Sequence, residues 1–496
     1  TAYEIRNCDW SSDVCSSDLG TLNANIGGSG STLTVIEADD LTIGAGDVRT
    51  NNGLITITTQ TGGNLVRTGN ISAGTANVIL NLAGGTSGNG LVTANQVALT
   101  SVGSASLNTT VNSVVASVTG SSQPLAIYQI GRDLTVTSSN VRTNNGALTL
   151  DVAAPNNLTV LGNVTAGNAT VTLNAGGAVN VSTGQIVANT LNVTAGRTST
   201  LNTVVGTLNA NITGPGSTLN VTEADNLTIG SGNVRTNNGD ITLTTRGGGS
   251  LLRNGSINAG AANVTLNIAG GTNGSGVVSA NQVALTTGTA STINTAVTSV
   301  VANVASGTLT ISDADGIAIG SGGGRTLNAD ISIIAAGGSI DGAGAIAAGT
   351  ANVALTNTNG SISLANAGNQ VNANRLNLSA TATSAVNTNV ATLSASIGGS
   401  NQGLTVGQTT ALALGNVSSN NGTLTFNVPG GLSGAGFVNA GTAGIVAGKP
   451  DASELFVRIT TADKESRMPA DGEPFTADEQ ALVRQWIADE IGRAHV

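Results

Sequence analysis

The fold is decided by residues 54–82, LITITTQTGGNLVRTGNISAGTANVILNL, where short alternating runs are separated by glycine-rich turns. In Leu54–Thr59 and Asn77–Leu82, Leu, Ile and Val alternate with Thr and Asn. A period of two is typical of β-strands that bury one face. Gly-Gly and Ala-Gly pairs favour turns, because glycine readily adopts positive φ angles. Such modules recur about every 17 to 23 residues, which is the length of one β-helix coil.

These modules belong to a longer repeat. The hexapeptide VRTNNG returns at intervals of 93 residues at Val48–Gly53, Val141–Gly146 and Val234–Gly239, and degraded copies follow at Gly324–Asp330 and Val417–Gly422. The similarity is strongest at twice that interval, where TLNANIGGSGSTLTVIEADDLTIG from Thr21 matches TLNANITGPGSTLNVTEADNLTIG from Thr207. Residues 20–443 therefore contain about five copies of one long unit.

Stacked coils are the expected solution for such a repeat. A short strand with one apolar face is unstable alone, whereas stacking pairs its backbone edges and buries its Val, Leu and Ile side chains. A β-sandwich array is the alternative, but sandwiches use bulky aromatic cores. The only aromatic residues in the body are Tyr128, Phe426 and Phe437. We therefore predict an all-β parallel β-helix, or β-solenoid, with a short C-terminal α-helical segment.

The composition excludes several classes of protein. Charged residues make up 9% of the 496 residues, against a usual share of about 25%. A hydrophobic content of 39% argues against disorder. With a net charge of −10 and no basic stripe, no nucleic-acid partner is expected. No apolar run approaches the roughly 18 residues of a membrane-spanning helix, so no such segment is predicted.

The body resembles a family of secreted repeat proteins. The runs GNLVRTGNISAGTANVILNLAGG (Gly63–Gly85) and GSLLRNGSINAGAANVTLNIAGG (Gly249–Gly271) resemble the repeats of filamentous-haemagglutinin-like proteins and autotransporter passengers. The resemblance covers residues 20–443 and implies a right-handed parallel β-helix. It also implies an extracellular or bacterial cell-surface location and an adhesive role. Surface glycans or other cell-surface polymers are the partners expected of such a protein.

The two ends of the chain resemble translated sequencing adapters. Residues 1–19 contain CDWSSDVCSSDL, which resembles the translation of a short-read library adapter, and residues 490–496, EIGRAHV, resemble the opposite adapter. Both segments are predicted to be artefacts and are excluded from fold reasoning. The exclusion removes Cys8 and Cys15 as a disulfide or metal pair, and His495 as a ligand.

Residues 444–489 differ in composition from the body and resemble the C-terminal half of a planctomycete-type cytochrome c domain. The matching signature is GKPDASELFVRI, then the Met-Pro of Met468, then LVRQWI. The resemblance implies that Met468 is an axial haem ligand. Covalent haem attachment needs a C-x-x-C-H motif, and the sequence has none, so no cofactor is expected. We predict a truncated domain joined to the body in a chimeric sequence, with a natural fusion as the rival.

Two capping boxes predict helices in this segment. Asp451 with Glu454 precedes LFVRI, and Thr476 with Glu479 precedes a second helix. The second helix is expected to carry its apolar residues on one face, namely Leu482, Val483, Trp486 and Ile487.

Acidic clusters are the candidates for chemistry in the body. They lie at Glu37-Ala38-Asp39-Asp40, Glu223-Ala224-Asp225 and Asp313-Ala314-Asp315. A calcium site is one interpretation, since calcium prefers several oxygen ligands. A solvated turn is the favoured one, because the cluster repeats whereas a catalytic site is usually single. No metal site and no catalytic residue are therefore predicted.

Arginine recurs at one position of the repeat, in Arg49, Arg142, Arg235 and Arg325. We expect these side chains on one face, either as solvated corners or as a spaced row of contacts for an anionic glycan. The favoured function is a structural or adhesive β-helical protein without catalysis. The alternatives are a c-type electron carrier based on residues 444–489 and a carbohydrate-active β-helix enzyme.

Overall fold

The computed structural model describes residues 19–366, 370–441, 448–462, 467–469 and 473–489. The fold divides into two compact units. The first ends at Asn294, and the second begins at Thr295. Both are built from parallel strands stacked in coils, with about 20 turns in total. The predicted parallel β-solenoid with a helical C-terminal segment is therefore confirmed, while its right-handedness stays a prediction. Cys8, Cys15 and His495 lie outside the described residues.

The strands of the first unit are short and follow one another through tight turns. They are β1 Thr21–Ser29, β2 Leu33–Glu37, β3 Leu41–Asn51, β4 Ile55–Thr59, β5 Leu65–Arg67, β6 Ile71–Ser72, β7 Val78–Leu82, β8 Thr86–Gly88, β9 Leu91–Ser101, β10 Ala105–Ser121, β11 Leu125–Gln129, β12 Leu134–Asn144, β13 Leu148–Val152, β14 Leu158–Val160, β15 Val164–Thr165, β16 Thr170–Ala175, β17 Val179–Val181, β18 Ile186–Ala195, β19 Ser199–Pro215, β20 Leu219–Glu223, β21 Leu227–Asn237, β22 Ile241–Thr245, β23 Leu251–Arg253, β24 Ile257–Asn258, β25 Val264–Ile268, β26 Thr272–Asn273 and β27 Val277–Thr287.

The second unit continues the same pattern and ends in helices. Its strands, the first of which begins at the end of the first unit, are β28 Ser291–Val304, β29 Leu309–Asp313, β30 Ile317–Thr326, β31 Ile331–Ala335, β32 Ser339–Gly342, β33 Ile346–Ala347, β34 Asn352–Asn357, β35 Ser361–Leu364, β36 Val371–Ala380, β37 Ser384–Ser400, β38 Leu404–Gly407, β39 Leu412–Asn420, β40 Leu424–Asn427, β41 Leu432–Ser433 and β42 Val438–Asn439. A 3₁₀ helix, Pro450–Ala452, precedes α1 Glu454–Thr460 and α2 Ala477–Ala488.

Most strands of the first unit stack in two main parallel ladders, and the chain alternates between them. Short strands pair beside these ladders: β6 with β3 and β9, β15 with β12 and β18, and β24 with β21 and β27. Ladder I contains β1, β3, β5, β8, the first half of β10, β11, β13, β16, the second halves of β18 and β19, and β21. Ladder II contains β2, β4, β7, the second halves of β9 and β10, β12, β14, β17, the first part of β19, β20 and β22. Partners on neighbouring coils are between 17 and 25 residues apart.

Inward and outward residues alternate along each strand, as the sequence predicts. In β4, the burial pattern places Ile55 and Ile57 in the core, and neither is exposed to solvent. Thr56 and Thr58 alternate with them, point outward and are half-buried. Because each coil stacks its Val, Leu and Ile on those of the next, the buried residues form a continuous core within each unit.

The pairing explains why the repeat is most similar to itself at twice its length. Nine successive strand pairings in ladder I lead from β1 to β19, whose second half is the copy of β1. The intervening copy, at Val114–Val118 in the second half of β10, lies in ladder II. One 93-residue unit therefore occupies about four and a half coils, so alternate units return to the same ladder.

The VRTNNG motif builds a tight turn at the end of a strand. Thr50 donates its hydroxyl hydrogen to the carbonyl oxygen of Gly53, at 2.5 Å. Asn52 adopts a φ of 60°, a left-handed conformation that asparagine tolerates. Its side-chain oxygen accepts a hydrogen bond from the backbone N–H of Thr75 in the next coil, at 2.9 Å. The motif thus repeats because one turn is made repeatedly.

Asparagines also form ladders at the corners of the coils. The amide of Asn95 donates to the side-chain oxygen of Asn77 at 3.1 Å, and that of Asn112 donates to Asn95 at 3.0 Å. Arg132 donates to Asn112 at 3.1 Å and ends this row. Each bond satisfies a polar group on one coil with a polar group on its neighbour.

The second unit contains its own two ladders. One runs through β28, β30, β32, β35, the first half of β37, β38 and β40. The other runs through β29, β31, β34, and the second halves of β36 and β37 to β39. In the first of these ladders, the pairing between β35 and β37 joins Ser363 to Ala385 and Leu364 to Val386.

The C-terminal segment packs around a small core of its own, formed by Phe456, Ile459 and Ile487. Thr476 and Glu479 cap α2 reciprocally, as predicted. The predicted box of Asp451 and Glu454 is wrong, because Ser453 is the N-cap of α1 and its side chain makes no capping hydrogen bond.

Asp451 lies instead in the 3₁₀ helix and forms a bidentate ion pair with Arg484, at 2.6 Å. The predicted apolar face of α2 is correct only in part. Ile487 is buried and Val483 packs against the core, whereas Leu482 is 71% exposed. The core of this segment is small, so it covers only part of the apolar surface of the helix.

Candidate functional site

The repeated acidic clusters are not solvated turns throughout, because their first residue is buried. Glu37 and Glu223 are 0% exposed and Asp313 is 3% exposed. The acidic residues that follow them, Asp39, Asp40, Asp225 and Asp315, are exposed. The prediction of a solvated turn is therefore wrong for the buried position. Each buried residue ends a strand, where its side chain points into the coil.

Glu223 is held by donors on two coils. Its Oε2 accepts hydrogen bonds from the hydroxyl of Thr203 at 2.8 Å and from the backbone N–H of Val205 at 3.1 Å. Its Oε1 accepts from the backbone N–H of Ala224 at 2.8 Å. Burial raises the pKa of Glu223, and it likewise raises the pKa of Asp313. Both carboxyl groups accept a hydrogen bond from a backbone N–H on a neighbouring coil and so join the coils.

Glutamine takes the same position in other copies of the repeat. The Oε1 of Gln129 accepts hydrogen bonds from the hydroxyl of Thr109 at 2.7 Å and the N–H of Val111 at 3.2 Å. Its Nε2 donates to the carbonyl oxygens of Val111 at 2.7 Å and Arg132 at 3.3 Å. Gln408 makes the equivalent bonds. Where glutamate ends the strand, the next loop presents N–H groups, and where glutamine does, it presents carbonyls.

This arrangement favours a structural role for the acidic position. Among the residues that the structure describes, no group of three or more His, Cys, Asp or Glu side chains could hold a metal ion. The calcium interpretation therefore gains no support from the geometry. A catalytic pair would need a second ionisable group beside the buried one, whereas the contacts of Glu223 are a hydroxyl and backbone N–H groups.

The four repeated arginines are exposed, as predicted for solvated corners. Each guanidinium lies near a polar side chain: Arg49 is 3.8 Å from Asp47, Arg142 donates to Ser117 at 3.0 Å, Arg235 to Asn211 at 2.9 Å and Arg325 to Asn303 at 2.9 Å. Exposed contacts of this kind contribute little stability.

The prediction that these arginines share one face is wrong within the first unit. Arg49 lies on β3 and Arg235 on β21, both in ladder I. Arg142 lies on β12, in ladder II. The reason is the half coil in each 93-residue unit, which moves every second copy of the motif to the other ladder.

Two further arginines, which the sequence analysis did not single out, are buried in the core of the first unit. Arg67 is 0% exposed. Its Nε donates to the hydroxyl of Thr86 at 3.2 Å, and its NH1 donates to the carbonyl oxygen of Gly90 at 2.6 Å. Its NH2 donates to the carbonyl oxygen of Ser106. Burial lowers the pKa of Arg67 to about 10.

Arg253 repeats this arrangement at twice the repeat interval. It donates to the hydroxyl of Thr272 at 3.2 Å and to the carbonyl oxygens of Gly276 and Thr292. Burial lowers its pKa to about 10 as well. The sequence indicates these buried arginines through the triplets LVR and LLR. The alternation of the strand places Arg at an inward-facing position, where an apolar residue is expected. Both arginines bind carbonyls of adjacent coils and hold the stack together.

Two open grooves lie on the second unit. One, of about 260 Å³, crosses β34, β36, β37 and β39 and is lined by Thr356, Asn377, Ser379, Ser394, Ser396 and Ser418 among others. The other, of about 420 Å³, lies near Asn372, Asn389 and Thr410. Both are shallow and lined mainly by small uncharged side chains, so they offer hydrogen bonds without an ionisable group.

Met468 is 44% exposed, and its backbone N–H donates to the carbonyl oxygen of Arg458 at 3.0 Å. An axial haem ligand needs a haem pocket around its sulfur, and the sequence lacks the C-x-x-C-H motif that would attach the haem. The exposed side chain of Met468 and the missing attachment motif do not fit a covalently attached haem. The role implied by the resemblance stays a prediction.

No helix in the described part of the chain is long and apolar enough to cross a membrane. In comparisons with known proteins, no family model matches the chain, and no curated protein or solved structure matches it significantly. The function is therefore inferred from the internal geometry of the two units and from the repeat pattern of the sequence.

Proposed function

We propose that this chain is a structural or adhesive repeat protein of the bacterial cell surface or the extracellular space, without catalytic activity. Its fold, a parallel β-solenoid, presents many outward side chains on regular ladders. Its proposed partners are surface glycans or similar polymers. Such polymers can bind along the broad and largely uncharged surface of the coils. The resemblance to filamentous-haemagglutinin-like repeats supports the same proposal.

One observation carries this proposal: the polar groups of the strands and turns are used to join coils. The buried carboxyl of Glu223, the buried guanidinium of Arg67 and the turn residue Asn52 all bind a neighbouring coil. Side chains on the outer surface are mostly Thr, Ser and Asn. A hydrolase or lyase would instead need converging carboxylates or bases. These residues therefore support the stacking of coils and the display of polar side chains on the outer surface.

The proposal is tested by adhesion and binding. The purified chain is applied to an array of neutral and anionic glycans and, in parallel, displayed on a non-adherent bacterial strain. We expect binding to at least one glycan class or increased attachment of cells to a glycan-coated surface. A chain that neither binds a glycan nor promotes attachment contradicts the adhesive role.

The repeated arginines provide a matched comparison within this test. If a ladder of guanidinium groups contacts an anionic glycan, Arg49→Ala with Arg235→Ala weakens binding, because both lie in ladder I. Arg142→Ala is the control, because this residue lies in ladder II. Equal binding by all three proteins shows that the arginines are solvated corners, and the adhesive role then rests on other residues.

The absence of catalysis is tested on the same protein. Incubation with soluble polysaccharides is followed by an assay for new reducing ends and for the absorbance of unsaturated products. We expect neither signal above that of a heat-denatured sample. When haem is added and the unbound haem is then removed by gel filtration, we expect no Soret band in the protein fraction, since the C-x-x-C-H motif is missing.

A further inference from the structure

Comparison of equivalent segments in the repeat shows that one copy differs from the others in its outward-facing residues. Four copies of one segment read LTVIEAD from Leu33, LAIYQIG from Leu125, LNVTEAD from Leu219 and LTISDAD from Leu309. The second copy alone carries an aromatic residue, Tyr128, where the others have Ile36, Thr222 and Ser312. It alone carries Ile130 where the others have Ala38, Ala224 and Ala314.

Both unusual side chains point to solvent. Tyr128 is 42% exposed and Ile130 is 47% exposed, while Gln129 between them points inward and is 1% exposed. The third and fourth copies fold with small residues at both places, so the core does not require the larger ones. A single exposed apolar side chain needs no explanation, but Tyr128 and Ile130 are two residues apart and both face outward, so together they form one apolar contact surface.

Polar side chains flank Tyr128 on both neighbouring coils. In the register of ladder I, Tyr128 lies between Asn108 of β10 and Asp151 of β13, and Asn174 of β16 follows. Asn108 is held in place by donating its amide to the carbonyl oxygen of Asn89 at 3.1 Å. Asn174 donates to Asp151 at 3.4 Å. The neighbours are thus oriented before any ligand arrives.

We propose that Tyr128 and Ile130, together with Asn108 and Asp151, form a binding site for an extended glycan chain. The tyrosine ring receives the apolar face of a pyranose ring, since an aromatic face attracts the positively polarised C–H groups of a sugar. The amide of Asn108 and the carboxylate of Asp151 bind its hydroxyl groups. Asn174 contacts the next sugar along the ladder.

The size and spacing of the site favour a glycan over a protein. A stable protein interface buries roughly 800 Å² on each partner, with an apolar centre. Two adjacent apolar side chains offer far less. Parallel coils repeat about every 4.8 Å, so the polar groups flank the ring at a spacing that suits the successive sugars of an extended chain.

The inference rests on the proposed adhesive function and is tested by replacing the two residues with those of the third copy. Tyr128→Thr with Ile130→Ala creates the residues found at Thr222 and Ala224, so the fold is expected to be retained. The matched control is Ile36→Thr, which makes the same kind of change in the first copy. Circular dichroism and urea unfolding verify that all three proteins are folded.

Affinities for the glycan identified on the array are measured by titration calorimetry. We expect the double variant to bind about tenfold or more weakly, as the loss of one aromatic contact implies, and the control to bind like the original chain. If the double variant binds equally well, the site is overturned while the adhesive function stands. If the original chain binds no glycan at all, both the site and its glycan partner are overturned.

Discussion

At the residue scale, glycine and asparagine in the VRTNNG turn have separate physical tasks. Asn52, Asn145 and Asn238 adopt positive φ angles, and their side-chain oxygens accept a hydrogen bond from the next coil. The glycine that follows is required for a different reason. A Cβ on Gly239 would lie 1.9 Å from the carbonyl oxygen of Ser217.

We predict that Gly239→Ala destabilises the first unit by about 1–3 kcal/mol, because the backbone must move to admit the methyl group. Gly27→Ala is the matched control, since no atom lies within 4 Å of its Cβ position. Urea unfolding followed by circular dichroism measures both. An unchanged midpoint for Gly239→Ala would show that the coils separate more easily than their spacing indicates.

The buried Glu or Gln position shows how one residue is matched to the loop beyond it. Glu223 accepts bonds from the N–H groups of Ala224 and Asp225. Gln129 donates its Nε2 hydrogens to carbonyl oxygens, among them that of Arg132. A carboxylate at the glutamine position would face carbonyl oxygens without a proton to share.

We predict that Gln129→Glu is destabilising at pH 7 and that stability returns at acid pH. Burial favours the neutral acid, as it does for Glu223, so the folded-state pKa lies above the unfolded-state value. The folded state then binds more protons than the unfolded state between the two pKa values, and stability falls as the pH rises through that window. Urea unfolding at several pH values measures it. A loss of stability that is independent of pH would contradict the assignment.

At the scale of the elements, a strand is buried only where the coils on both sides cover it. In β22, Ile241 and Leu243 are fully buried between β20 and β25. The corresponding residues of β40, Leu424 and Phe426, are only half-buried. Among the described residues, β38 is the single strand that pairs with β40. The inward-facing side chains of the same alternating pattern are thus more exposed in a strand at the edge.

We predict that the amides of β40 exchange hydrogen with solvent much faster than those of β22. An edge strand opens without separating two coils, so its opening costs less free energy. Hydrogen exchange read by mass spectrometry compares peptides that cover the two strands. Equal protection of β40 and β22 would mean that another part of the chain covers the edge.

The short helices show where local signals are sufficient. The box of Thr476 and Glu479 was predicted correctly, because its two hydrogen bonds lie within one turn. The Asp451 box was wrong because Asp451 pairs with Arg484, which is 33 residues away. A contact over that distance in sequence overrides a local capping preference.

At the scale of the whole chain, the 93-residue period is a half-integral number of coils. The copy of the Arg49 motif at Arg142 therefore lies in the other ladder, and the copy at Arg235 returns to the first. Each ladder of the first unit consequently presents alternate copies of the repeat. Equivalent residues of the repeat therefore recur on the same ladder only at every second repeat.

We predict that deleting one repeat, Leu54–Gly146, leaves a folded chain. Ala147 then follows Gly53, and β13 takes the place of β4, which has the same alternation of inward and outward residues. The dependence of unfolding free energy on urea should fall by roughly a fifth, in proportion to the buried surface that is lost. An unfolded product would show that the copies are not interchangeable in the stack.

The sequence by itself determined the class of fold, because a period of two and glycine-rich turns act over neighbouring residues. It also determined the turn at Asn52 and the cap at Thr476. Only the tertiary structure decided which ladder receives Arg142, that Glu223 and Arg67 are buried, and that Tyr128 stands between Asn108 and Asp151. These facts depend on the number of residues in each coil, since that number fixes which distant residues become neighbours.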